Sequence, residues 1–352
     1  MNAGSIWWGQ IGNSLRLLRK VTNNLKDCRS AVLQVPKAFP WRQDFYEAVD
    51  IRRAEFCGER RLVRLPWVDG IEPGELVLDE LCSSKVRADY WPGQSYAEYL
   101  GSNGDILLCD YYVWITGIQD KGDLARWAAF ISQYEYHAEL LDHHAVFILE
   151  YTGVPADISG IEKIVYTVES YDCRVFCLEA AATLANSELR AYQAELALCI
   201  GGDNPEFCAA LLMAGDAFLC DPVKTTMGLA SEGTSSDGTP FACMTEVQIS
   251  SAAWEAEIIL LFPILERFRM DFVTKHQLEL VRHLPITNSN GDQITDPFDL
   301  EIGSIYYIVS SMSKAFTADD IEDIQLCRKI RNLLAHNRPV PYVDVKRILS
   351  PG

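Results

Sequence analysis

Between residues 30 and 170, short unbroken apolar runs recur, separated by segments of helical periodicity. "SAVLQVP" (30–36), "RRLVRLPW" (60–67), "YYVWITGI" (111–118), "HAVFILEY" (144–151) and "EKIVYTVE" (162–169) are rich in β-branched and aromatic residues and too short for helices. They predict strands. "WRQDFYEAVDIRR" (41–53), "SYAEYLGS" (95–102) and "DLARWAAFISQYEY" (123–136) predict helices, the last with Leu124, Trp127, Ala128 and Ile131 on one stripe. Strands alternating with helices of this length imply an α/β domain with a mostly parallel sheet covered on both faces.

From about residue 173 the pattern turns helical, over 173–200 and 204–219. "MGLASEGTSSDGTP" (227–240) has no periodicity and predicts a linker or exposed loop. Beyond it the periodicity predicts an all-α bundle: a long or Pro263-bent helix over 251–284, then helices over 297–312, 317–336 and 342–350. The expected organisation is an α/β domain at 1–225 with a helical lid at about 173–222, a linker at 226–245, and a helical domain at 246–352. No internal repeat is present.

The helix over 317–336 is the best specified. Thr317 is placed to cap it, with Asp320 at the third helical position and Asp319, Glu322 and Asp323 favouring the positive N-terminal end. Ile321, Ile324, Cys327, Ile330 and Leu334 form an apolar stripe at three- and four-residue spacing. Asn337 is suited to a left-handed cap, and Pro339 prevents continuation. Arg331 falls beside the stripe, and His336 lies about 140° round the helix from it. The pair admits an ordinary role, since cations are favoured at a helix C-terminus. It also admits a chemical one if a two-fold partner brings both side chains to one cleft.

Composition narrows the setting. The 352 residues suffice for two domains, and 49% hydrophobic with 23% charged residues are globular values. No run of 18 apolar residues suggests a transmembrane helix, and the first 20 residues lack the pattern of a secretory signal, so a cytoplasmic protein without membrane contact is expected. Eleven scattered cysteines read as reduced, buried small hydrophobes. Cys173 and Cys177 share a helix face without a second pair. Glu139, Asp142, His143 and His144 read as a polar helix end, so no metal site is expected. The net charge of −18 argues against a surface wholly devoted to nucleic acid. Arg328, Lys329, Arg331, Arg338, Lys346 and Arg347, against Asp344 alone, are the one basic patch. Of these, Arg328, Lys329, Arg338, Lys346 and Arg347 are the expected RNA-binding set.

"RNLLAHNRPV", at the end of a helix in a helical domain, resembles the HEPN family (higher eukaryotes and prokaryotes nucleotide-binding) over roughly residues 250–352. The resemblance implies a helical bundle that dimerises. It also implies a metal-independent endoribonuclease without cofactor, of a toxin or anti-phage defence system, with Arg331 and His336 catalytic and Asn332 supporting them. The residue types suit the chemistry. RNA supplies its own 2′-hydroxyl nucleophile, His moves a proton near neutral pH, and Arg offers planar, permanently charged donors to the phosphate. A non-catalytic HEPN-containing adaptor or sensor subunit of a defence complex, recruiting proteins through its N-terminal domain, is the alternative.

The element order over 25–215 is similar to P-loop ATPases of the AAA or STAND type, but Gly-x4-Gly-Lys-[Ser/Thr] is absent. The corresponding turn is Pro36-Lys37-Ala38-Phe39-Pro40-Trp41, and Thr116-Gly117 stands where acids would hold magnesium. Without the glycines the backbone N–H groups cannot close on phosphates. A degenerate or non-hydrolysing nucleotide-binding fold, used for sensing or protein contact, is expected, with no cofactor assigned.

Overall fold

The computed structural model describes residues 2–56, 59–106, 108–138, 144–156, 158–183, 189–287 and 291–349. These form two compact units, Asn2–Asp172 and Cys173–Gly352.

The first unit opens with two helices, α1 (Ala3–Gln10) and α2 (Gly12–Lys26), before strand β1 (Ala31–Gln34). Then follow α3 (Arg42–Ala54), β2 (Arg61–Pro66), α4 (Pro73–Leu81), α5 (Ser84–Ala88), α6 (Tyr96–Ser102), β3 (Tyr111–Ile118), α7 (Lys121–Ala138), β4 (Val146–Tyr151) and β5 (Glu162–Val165). The strands form one sheet in the order β2-β3-β4-β1-β5, with every pair parallel. The α/β expectation therefore holds.

Alternation along each strand feeds two cores. Val32, Val113, Ile115, Phe147 and Leu149 pack with Trp67, Trp127, Phe130 and Tyr134 in one apolar cluster that draws on α4, α6 and α7. On the α3 side, Phe45 meets Trp8 at 4.8 Å, Phe39 at 5.0 Å and Trp114 at 5.9 Å between ring centroids. Glu150 of β4 is fully buried there. It accepts hydrogen bonds from Arg42 Nη1 at 2.6 Å, Tyr46 Oη at 2.6 Å and Trp114 Nε1 at 3.1 Å. Those three donors replace the water a buried carboxylate would lose.

Helix α8 (Ser170–Ala182) crosses the unit boundary, and the second unit continues with α9 (Arg190–Gly201), α10 (Pro205–Met213), α11 (Asp216–Cys220) and α12 (Pro222–Glu232). The long α13 (Glu246–Lys275) and α14 (Gln277–Val281) come next, then a two-stranded antiparallel hairpin, β6 (Ile286–Thr287) with β7 (Gln293–Ile294). Three helices close the chain: α15 (Ile302–Ser311), α16 (Ala318–Ala335) and α17 (Tyr342–Leu349). The helical region is thus as expected apart from the hairpin.

The boundary differs from the expected one near 226–245. Helix α9, read from sequence as part of a lid on the α/β domain, packs on α10 and α13 of the second unit. The expected linker is also shorter. Asp221 accepts from Lys224 N at 3.0 Å and Pro222 occupies the first turn, so α12 runs to Glu232. The following turn is tied down where Ser236 Oγ donates to Glu206 at 2.6 Å.

Helix α13 starts earlier than its apolar pattern suggests because Thr245 and Gln248 form a capping box. It continues through Pro263 to Lys275. Among the described residues it is the one helix long and apolar enough to cross a membrane. Its apolar side is a core side: Ile249, Ala253, Ala256, Leu261 and Leu265 are buried, and the helix packs on α9, α12 and α16.

Candidate functional site

Helix α16 forms as its sequence specifies. Thr317 Oγ1 accepts from Asp320 N at 3.2 Å, and the Asp320 carboxylate accepts from Thr317 N at 3.1 Å. Burial alone would raise the Asp320 carboxyl. Hydrogen bonds from Lys275 and from the Thr317 hydroxyl and N–H outweigh it, and hold the group well below the usual carboxylate range. Ile324, Cys327, Ile330 and Leu334 are buried as the stripe requires, Leu326 joins them, and Ile321 is half-buried.

The C-terminal end closes in a Schellman arrangement. Asn337 adopts φ 54°, its N–H donates to Leu334 O at 3.2 Å, and Arg338 N–H donates to Leu333 O at 3.0 Å. A further donor, Trp254 Nε1 of α13, reaches Leu334 O at 2.8 Å. His336 sits at the cap position with its side chain exposed. The exit is fixed again four residues on, where Val340 N–H donates to Glu257 at 2.7 Å. Glu257 is 1% exposed and also accepts from Tyr192 Oη at 3.0 Å. Burial pushes its carboxyl up to about 7, against the lowering effect of those two donors. Residues 337–339 are therefore an exposed bridge between two anchored points.

Arg331 and His336 are five positions apart on α16, about 140° round the helix from one another. Arg331 lines a cleft of about 410 Å³ with Phe262, Glu266, Arg269, Phe298 and Glu301 among its walls. Arg269 is held there by Glu266 at 2.9 Å and by the Phe298 carbonyl at 2.7 Å. Arg331 itself meets Glu301 at 3.4 Å, with the two side chains 44% and 73% exposed, a pair weak enough to rearrange. Asn337, beside His336, lines a different cleft against the start of α13, and the two linings have no residue in common. Asn332 is exposed.

The expected RNA-binding cations are partly engaged. Lys329 Nζ pairs with Asp344 at 2.6 Å and Arg347 with Glu322 at 2.8 Å, while the Arg328 guanidinium lies 4.4 Å from the Tyr306 ring centroid. Arg338 and Lys346 are exposed. Sequence reasoning missed Trp254, Glu257 and Arg269, all on α13. Glu257 carried a signal, because Ile249, Ala253, Glu257, Leu261 and Leu265 form one four-residue row and the acid falls on its buried side.

The turn after β1 is packed rather than open. Phe39 and Pro40 are buried, and the Trp8 indole N–H donates to the carbonyls of Pro40 at 3.2 Å and Trp41 at 3.1 Å. Trp41 precedes α3 in the left-handed region, at φ 40°, with no side-chain cap. Helix α1 crosses the start of α3 so closely that a Cβ on Gly4 would lie 2.5 Å from the Asp44 carboxylate. Lys37 is exposed, Thr116 Oγ1 donates to Leu65 O at 3.5 Å, and Gly117 has φ 86°. Among the described residues no group of three or more His, Cys, Asp or Glu is arranged to hold a metal ion; Glu139, Asp142 and His143 lie outside them. Cys173, Cys177, Cys208 and Cys327 are buried, while Cys220 and Cys243 are exposed. Compared with protein families, curated proteins and solved structures, the chain matches none.

Proposed function

We propose that this protein is a metal-independent endoribonuclease of HEPN type, acting as a defence or toxin effector under the control of its N-terminal unit. The observation that carries the reading is the end of α16. There Arg331 and His336 are both exposed on the last turns of a helix whose terminus is fixed by the cap, by Trp254 and by the Glu257–Val340 hydrogen bond. Such anchoring is what a proton-transfer group needs to be held in place.

In this reading His336 moves the proton of the 2′-hydroxyl or of the leaving oxygen, and Arg331 neutralises charge on the phosphate. Asn332 orients one of them. Because the two side chains lie about 140° apart round α16, the centre is composite in this reading: a two-fold partner supplies the second half through the C-terminal helices. Arg338 and Lys346 are the cations best placed to meet the RNA backbone, with Arg328, Lys329 and Arg347 released from their partners on binding. Incubating the protein with total RNA in EDTA beside His336→Ala tests this: cleavage by the first and not the second is expected, and equal outcomes refute it.

The in-chain pairing of Lys329 and Arg347 favours a second reading, a non-catalytic adaptor or sensor of a defence complex. On that reading the first unit, a degenerate P-loop-like domain whose phosphate turn is filled by Trp8 and Phe39, serves protein contact.

A further inference from the structure

A cleft of about 390 Å³ lies between the first turns of α13 and the end of α16, lined by Glu246, Val247, Ser250, Ser251, Trp254 and Asn337. Its size falls in the range of small-molecule sites, about 300–1,000 Å³. Three features distinguish it from an ordinary surface dent. The Trp254 ring is half-buried and pinned by its N–H to Leu334 O, two residues before His336, so the indole is fixed relative to the end of α16. Val247, 78% exposed, forms an apolar rim on the first turn of α13. Hydroxyls of Ser250 and Ser251, the Asn337 amide and the Glu246 carboxylate supply donors and acceptors around that apolar surface. Arg338, the next residue after Asn337, is exposed.

We infer that this cleft is a subsite for one unpaired nucleobase of single-stranded RNA, stacked against Trp254 next to the phosphate that His336 acts on. The inference rests on the nuclease reading and gives its substrate class. Single strands offer a free π-face and free base edges to a fixed ring, whereas a duplex keeps its bases stacked on each other. Glu246 is an acceptor only, so a base presenting an amino group, such as cytosine, fits better than uracil, which presents a carbonyl oxygen there.

The test is binding of 2′-O-methyl oligonucleotides, whose blocked 2′-oxygen prevents cleavage, as single strands of cytidine or uridine and as a preformed mixed-sequence duplex. Wild-type protein is expected to bind the cytidine strand more tightly than the uridine strand or the duplex. Trp254→Ala should weaken single-strand binding roughly 5- to 150-fold, the loss of one base–aromatic stack. Val247→Glu changes an exposed side chain outside the core and should weaken it in the same direction, which guards against a folding defect in the tryptophan variant. Neither should alter duplex binding. Unchanged single-strand affinity in both variants, or no preference for cytidine over uridine, overturns the subsite. The two readings separate in a parallel cleavage assay in EDTA. If His336-dependent cutting persists while both variants bind and cut as wild type, the nuclease stands and the subsite falls. If wild type neither binds nor cuts, both fall.

Discussion

Glu257 and Val340, separated by 83 positions in sequence, are joined by a 2.7 Å hydrogen bond from the Val340 N–H to the buried carboxylate. The bond fastens the chain leaving His336 to the middle of α13. Its acid is raised in the folded state to about 7 from an ordinary 4.5, chiefly by burial. Stability linked to this group is therefore full below about pH 4.5 and is lost as pH rises through about 7. Glu257→Gln keeps an acceptor for Val340 and should remove that loss. The stability difference between variant and wild type should grow by ~3 kcal/mol across this window. Chemical denaturation at pH 4.5, 6 and 8 checks it, and a difference constant with pH would contradict it.

Glu150→Ala should be among the most damaging single changes in the first unit. It leaves Arg42, Tyr46 and Trp114 without their common acceptor in a buried site. Breaking such a pair costs about 3–5 kcal/mol, and the partial exposure of Arg42 puts the expectation near the lower figure. A fall in Tm measures it, whereas an unchanged Tm would mean the carboxylate contributes little.

Asn337 holds a left-handed conformation that glycine adopts freely and β-branched residues resist. Asn337→Gly should leave stability unchanged or slightly raised. Asn337→Val should lower it by about 1–3 kcal/mol. If the end of α16 positions a catalytic His336, the valine variant should also lose RNA cleavage beyond what its unfolded fraction explains. Equal stability of the two variants would show that the cap is dispensable.

Much of this was legible in the chain. Uninterrupted β-branched runs announce buried parallel strands, and β3 spans the expected 111–118. The α16 cap and its left-handed exit follow from Thr317, Asp320 and Asn337, whose effects are local. Helix α1 was not read, because it buries Gly4, Ile6, Trp7 and Trp8 with no polar face to give it a period; α2, with Leu17, Leu18, Val21 and Leu25 on one buried stripe, carried a helical period that was legible. The unit boundary was misplaced because α9 finds its partners on α13, and composition does not encode which helices meet. The Trp254–Leu334 bond joins positions 80 apart, beyond any spacing rule, whereas Glu257 on the buried row of α13 was visible as an acid out of place.

The first unit should neither bind nor turn over ATP in the manner of P-loop enzymes. Trp8 and Phe39 fill the turn after β1, and its exposed Lys37 has no glycine-rich backbone beside it. Calorimetric titration of Mg-ATP should give no heat of binding above millimolar affinity. Tight binding abolished by Lys37→Ala would show that the turn opens.

The proposed composite nuclease centre is tested most directly by mixing two inactive variants. Arg331→Ala and His336→Ala should each lose 10²- to 10⁴-fold in RNA cleavage, on the order expected for a phosphate-binding cation or a proton-transfer group. Both should fold as wild type, since each side chain is exposed. Co-refolded in equal amounts, the two should form mixed dimers holding one intact pairing of Arg331 from one chain with His336 from the other, restoring about a quarter of wild-type activity. Restoration on mixing is the predicted result. Variants that each cleave as wild type, or a mixture no more active than its parts, would contradict the account.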